Sequence, residues 1–337
     1  MPFGATSDYA GVPDMQNGGI SLRVLYYDIF CGISGDMNLG ALIDLGVDPE
    51  YLKKELSKLR IDDEFSLEIK KGTKKGISGT KVDVILKNDT HHHEQNSEVH
   101  HNRHNYHEHG HSHDHEHGHQ HSHSQGHHHH HERDYKVIKS MIENSDLGRT
   151  VKDLSIKMFY EIAAAEAKVH DKTIEDVHFH EVGAVDSIVD IVGSAICLDV
   201  LKVDRILASP VQVGGGFVMC DHGKMPVPAP ATAEILRGIP IRTGLVQKET
   251  TTPTGAVILK VNVSEYTANP SLVIEKTGYG LGTRDLEVPN VTRVFLGTLA
   301  DEERPYESLQ NAEQVILETN IDDMNAELYA YVEERLF

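Results

Sequence analysis

The sequence predicts an α+β fold, a mixed-sheet body over residues 22–299 that is interrupted by a disordered insertion and followed by the start of a second α+β domain. Three observations predict it. Apolar or alternating runs at 22–30, 65–71, 80–87 and 291–299 have strand character, and the second and third are joined through the Gly- and Lys-rich turn GTKKGISG as an antiparallel pair. Stretches near 48–60, 134–144, 151–169 and 186–201 carry the longer period of helices. Between them, residues 91–131 hold 20 of the 24 histidines and almost no large aliphatic side chain, so the insertion at 88–133 cannot form a core.

Taken in order, residues 1–21 read as a disordered extension, without a charged segment leading into an apolar one. The strand at 22–30 feeds into Cys31-Gly-Ile-Ser34-Gly35-Asp36 and then the helical run NLGALIDLG. Gly32 and Gly35 let backbone N–H groups converge at a helix N-terminus, so Ser34, Gly35 and Asp36 are candidates for holding an anion. Asp28 and Asp36 are expected to face one crevice, although Asp36 also suits a plain helix-dipole role. Asp48-Pro49-Glu50 caps a helix to about Arg60.

In the insertion, His109, His111, His113, His115, His117, His119, His121 and His123 alternate with small and acidic residues. Imidazole suits Ni2+, Zn2+ and Cu2+, and a disordered tract holds no preorganised geometry, so storage or delivery of metal is expected there.

The stretch richest in chemistry is Asp176-Val-His178-Phe-His180-Glu181-Val-Gly183-Ala-Val-Asp186-Ser-Ile-Val-Asp190. Residues 177–182 read as a short strand with His178 and His180 on one face and Phe179 on the other. Gly183 marks a turn, and Asp186 or Ser187 caps a helix to about Leu201. Asp186, Asp190 and Ser194 then share one face of an otherwise apolar helix. Two carboxylates there are costly to bury without a cation or hydrogen-bond donors, although capping alone accounts for Asp186.

A strand is expected at 205–213. Pro226, Pro228 and Pro230 hold the following loop extended and stiff, presenting His222 and Lys224, with Cys220 and His222 a candidate metal pair. Thr251, Thr252 and Thr254 open a helix, where their hydroxyls suit a phosphate or carboxylate and equally a set of competing caps. Gly278 to Asp285 reads as a flexible turn with one anchored cation, Arg284, a candidate phosphate clamp. Residues 300–312 read as a linker and 313–337 as the start of a C-terminal domain.

The chain has 52 acidic and 32 basic residues, a formal charge of -20, which argues against nucleic acid as a partner and favours cations. Its three cysteines form no CxxC pair, as expected of a reducing cytoplasm, and no apolar run reaches the length of a membrane span.

Five motifs in order, residues 30–37, 178–186, 222–231, 251–256 and 320–324, resemble the LarC family of nickel-pincer cofactor nickel insertases. The resemblance implies a cyclometallase that inserts Ni2+ into pyridinium-3,5-bisthiocarboxylic acid mononucleotide in a CTP-dependent reaction, forming two Ni–S bonds and one Ni–C bond. It implies a product used by lactate racemase and similar 2-hydroxyacid racemases and epimerases, with such an enzyme as an acceptor partner. Members of the family continue through a C-terminal domain that binds CTP with a divalent metal, Mg2+ or Mn2+. Here Asp322 and Asp323 remain of it, so either the chain is a fragment or shortened form, or a separate C-terminal polypeptide is a further partner. On this reading His178, His180, Glu181 and Asp186 line the nickel and base region, Asp190 and His222 bind metal, and Ser34, Gly35, Asp36 or the threonine cluster holds a phosphate. The rival readings are a nickel store or metallochaperone acting through the His-rich tract, and a zinc hydrolase, which lacks HExxH.

Overall fold

The computed structural model describes residues 22–87, 133–177, 179, 182–220 and 223–299. The expected extension, His-rich insertion, linker and second domain lie outside them, as do His178, His180, Glu181 and His222.

Eleven strands and seven α-helices are present among the described residues. The main sheet is mixed, in the order β2 (Phe65–Lys74), β3 (Ile77–Leu86), β10 (Leu272–Leu281), β11 (Val291–Leu299), β1 (Arg23–Asp28), β4 (Arg205–Ala208), β9 (Glu265–Tyr266). β1 runs antiparallel to β11 and parallel to β4, and β2 and β3 form the expected antiparallel hairpin. Strand parity gives β1 two buried faces: Leu25 and Tyr27 enter the main core under the helices, while Val24 and Tyr26 pack with Leu207 on the other side.

The helices are α1 (Gly35–Leu45), α2 (Pro49–Leu56), α3 (Tyr135–Asn144), α4 (Arg149–His170), α5 (Val185–Leu201), α6 (Pro230–Ile235) and α7 (Pro253–Asn262). Helix α1 lies against β3, β10 and β11, α5 packs on α1, and α4 packs on α5. Gly278 and Gly280 of β10 explain the closeness of α1. A Cβ on either would overlap the backbone of Ala41 or Met37, so these glycines let the helix rest on the strand. The expected flexible turn at Gly278 to Asp285 is therefore strand as far as Leu281, and residues 282–285 lie outside any strand.

Other expectations shift in similar ways. The helix capped by Asp48 ends at Leu56 and finishes in a 3-10 turn, Ser57–Leu59, with Arg60 left-handed. The strand at 205–213 divides at Pro210, which cannot donate to a ladder, into β4 and β5 (Val211–Gln212). The proline-rich loop is a hairpin, β6 (Phe217–Cys220) with β7 (Gly223–Pro226), followed by α6 beginning on Pro230. Of the expected strand at 177–182, the described residues Val177, Phe179 and Val182 lie outside any strand, and all three side chains are buried. Phe159 packs against Phe179, with ring centroids 6.3 Å apart.

A candidate metal and phosphate cleft

Three helix N-termini converge on one cavity of about 450 Å³. Ser34, Gly35 and Asp36 open α1, Asp186 and Ser187 open α5, and Thr252, Pro253 and Thr254 open α7, and all of them line it. Each helix start carries roughly half a positive charge. Against these stand the carboxylates of Asp36, Asp186 and Asp190, so the cleft presents donors for an anion and carboxylates for a cation side by side.

A buried polar relay fixes this arrangement. Tyr27 Oη donates to Asn38 Oδ1 at 2.8 Å, Asn38 Nδ2 donates to Ser194 Oγ at 2.8 Å, and Ser194 Oγ donates to the Asp190 carbonyl at 2.6 Å. The relay ties β1, α1 and α5 together and presses Asp190 onto the start of α1. A Cβ on Gly35 would lie 2.5 Å from Asp190 Cγ, so only glycine admits that approach. Among the described residues, Asp190 Oδ1 has no solvent contact and no hydrogen-bond partner. Burial, then the charges of Asp36 and Asp186, push the Asp190 carboxyl well above the usual carboxylate range.

Lys81 on β3 is the cation built into the wall, its side chain 13% exposed. Nζ donates to Asp36 Oδ2 at 2.6 Å, to Asp83 Oδ1 at 2.9 Å and to the Val82 carbonyl at 2.9 Å. Burial works against its charge, but Asp36 and Asp83 outweigh that and hold its pKa above the ordinary lysine value. Sequence reasoning passed over Lys81; its signal was a pair of charges, Lys81 and Asp83, two apart on one face of an otherwise apolar strand.

The remaining candidates divide. Asp36, Asp186 and Asp190 share the cavity, but Asp28 does not: strand parity turns it to the opposite face of the sheet, where Arg293 Nε donates to it at 2.9 Å. The α5 cap is Ala184, and Asp186 Oδ1 accepts from the Ser187 N–H at 2.7 Å within the first turn. Thr251 is fully buried and its hydroxyl donates to the Gln212 carbonyl at 2.6 Å, as Thr250 does at 3.0 Å, so these two fasten the loop. Thr252 caps α7 through the Gly255 N–H, leaving Thr252 and Thr254 on the cavity wall with Arg284, which holds the Glu249 carbonyl at 2.8 Å. From the β6 strand, Val218, Met219 and Cys220 close another side. Among the described residues no group of three or more His, Cys, Asp or Glu side chains is placed to hold a metal ion.

The residues flanking the His-rich insertion meet beside this cleft. The Lys87 N–H donates to the Glu64 carbonyl at 3.0 Å, the Arg133 guanidinium pairs with the Glu64 carboxylate, and the Arg133 N–H donates to the Gly183 carbonyl at 3.2 Å. Val182, adjacent to Gly183, lines the cavity.

The sequence profile described as "Nickel insertion protein" matches residues 25–337. The chain is 62% identical over 316 residues to a protein of Clostridium acetobutylicum named pyridinium-3,5-bisthiocarboxylic acid mononucleotide nickel insertion protein, covering 94% of this chain and 72% of the relative. Proteins of the same name from Clostridium kluyveri (57% identical; 94% of this chain, 71% of the relative) and Acetivibrio thermocellus (46%; 94% and 69%) are similar along the same span. No solved structure matches the chain.

Proposed function

Because the chain belongs to the nickel insertion protein family, we propose that it is an enzyme inserting Ni2+ into pyridinium-3,5-bisthiocarboxylic acid mononucleotide, and that the three-helix cleft is where insertion occurs. The observation that carries this reading is the meeting of three helix N-termini with three aspartates in one cavity. The two halves of that inventory match the two things that must be brought together, an anionic mononucleotide and a divalent cation.

In this reading Thr252, Thr254 and the α7 N-terminus receive the phosphate, with Arg284 at the rim. Thr251 supports them through the Gln212 carbonyl. Ser34, Gly35 and Asp36 form the opposite wall, where Asp190 packs against Gly35. Asp186 and Asp190 face the nickel, and His178, His180 and Glu181, immediately before α5 in sequence, supply imidazole and carboxylate ligands and the base. His222, between β6 and β7, is a further ligand. Insertion joins nickel to two sulfurs and one ring carbon, and the ring proton must leave as the Ni–C bond forms; a carboxylate or imidazole at the cavity takes it.

CTP and its Mg2+ or Mn2+ are assigned to the segment with Asp322 and Asp323, outside the described residues. Residues 22–299 are accordingly the insertase body, 300–312 a linker and 313–337 the start of the nucleotide-binding domain. The His-rich tract feeds metal to the cleft, and a lactate racemase-type enzyme receives the product. No helix among the described residues is long and apolar enough to cross a membrane, and a cytoplasmic location fits the unpaired cysteines.

The test is a single-tube turnover with purified chain, Ni2+, Mg2+, CTP and the bisthiocarboxylate mononucleotide, seeking the nickel-bearing product by mass spectrometry. Product is expected. Its absence both alone and with a C-terminal domain added in trans would overturn the assignment.

A further inference from the structure

The chemistry-bearing stretch before α5 runs between two anchors. Phe179 is 1% exposed and packs on Phe159 in the main core. Gly183 is held by Arg133: the Arg133 N–H donates to the Gly183 carbonyl at 3.2 Å, and a Cβ on Gly183 would lie 2.6 Å from the Arg133 carbonyl oxygen. His180 and Glu181 stand between these anchors in the sequence, and Val182, next to the second, lines the cleft. A span this short, fixed at both ends, keeps little freedom, so what places Arg133 also places the span.

Arg133 stands between the insertion and the Asp134 cap of α3. On the insertion side its guanidinium, 16% exposed, pairs through Nη2 with the Glu64 carboxylate. Glu64 is itself fixed, its N–H donating to the Ile61 carbonyl and its carbonyl accepting from the Lys87 N–H, both at 3.0 Å. Arg133 Nη1 has no solvent contact and no acceptor among the described residues. A buried donor left unused costs stability, so stability alone is a poor reason for an arginine at this position.

We propose that Arg133 is a positioning residue for insertion: pinned by Glu64, it fixes the far end of the stretch that carries His178, His180 and Glu181. Its effect on turnover rests on the insertase reading above, whereas the anchoring does not.

Hydrogen exchange of the full chain without nickel, followed by peptide mass spectrometry, reads the anchoring. In Arg133→Met the peptide spanning 177–184 is expected to exchange about threefold faster or more, with α4 unchanged. Glu64→Gln is expected to reproduce this, and the double variant to add nothing, as for two ends of one contact. Turnover at saturating nickel reads the positioning. In Arg133→Met kcat is expected to fall by about tenfold or more, while KM for the mononucleotide stays within about twofold of native. Should Arg133→Met also loosen α4, Glu64→Gln decides instead. Unchanged exchange at 177–184 overturns the proposal, as do additive effects of the two substitutions, native kcat despite faster exchange, or a loss carried by KM alone. A native chain without turnover, combined with the expected exchange, would remove the insertase reading and leave the anchor.

Discussion

The Asp190 carboxylate sits where a side chain on Gly35 would have to go. Helices α1 and α5 therefore meet through a glycine and a carboxylate. Gly35→Ala is expected to destabilise the chain by roughly 1–3 kcal/mol, the usual cost of overpacking. Adding Asp190→Ala to it should return part of that loss, because the two changes relieve one contact. Urea melts of the four variants measure the coupling.

Asp190 also sets a pH dependence. Burial, then Asp36 and Asp186, raise its carboxyl above the ordinary value of 3.8. The folded chain then holds a proton that the unfolded chain has released, so stability falls as pH rises from about 4 toward the raised native value. Asp190→Asn should flatten that slope and raise the melting temperature at neutral pH while abolishing insertion. A melting series against pH, in which the variant keeps the native slope, would refute the assignment.

Lys81 neutralises the wall between Asp36 and Asp83. Lys81→Met removes the cation from Asp36 and leaves Asp83 only the exposed Lys70, 3.6 Å away, and a loss of roughly 1–3 kcal/mol is expected from denaturant midpoints. Because Lys81 also lowers the Asp190 pKa, the pH slope of stability should extend to higher pH in this variant.

Thr252 is both a cap and a wall of the cavity. Thr252→Ala should cost about 1 kcal/mol of stability. Thr252→Ser, which keeps the cap, should restore it. If the α7 start receives the phosphate, KM for the mononucleotide rises in the alanine variant and recovers in the serine variant.

The flanks of the His-rich insertion are already joined through Glu64. Replacing residues 88–132 by a short Gly/Ser linker should leave the melting temperature within a few degrees of the native value, since loop closure changes only slowly with length. Turnover should persist at saturating nickel and fall when nickel is limiting. Loss of turnover at saturating nickel in a folded variant would instead favour a nickel store.

The sequence by itself determined the elements whose signals are local. The antiparallel β2–β3 pair, α2 with its Asp48 cap, α3, α4, α5 and the capped start of α7 all follow from period and local signals, which act within a few residues. It also marked Asp36, Asp186, Asp190 and the threonines as chemistry-bearing, because carboxylates and clustered hydroxyls on apolar elements stand out. What only the tertiary structure decided is which of them meet. Strand parity sent Asp28 to the far face of the sheet, and the Gln212 carbonyl absorbed the hydroxyl of Thr251. The glycines of β10, which resemble a turn when read locally, proved to be a seat for α1. Asn38 and Ser194 became a relay, and Lys81 a wall of the cleft, through contacts 156 and 45 residues apart in the chain. Such contacts leave no mark on local periodicity, because their energy comes from packing between distant elements rather than from the conformation of either one.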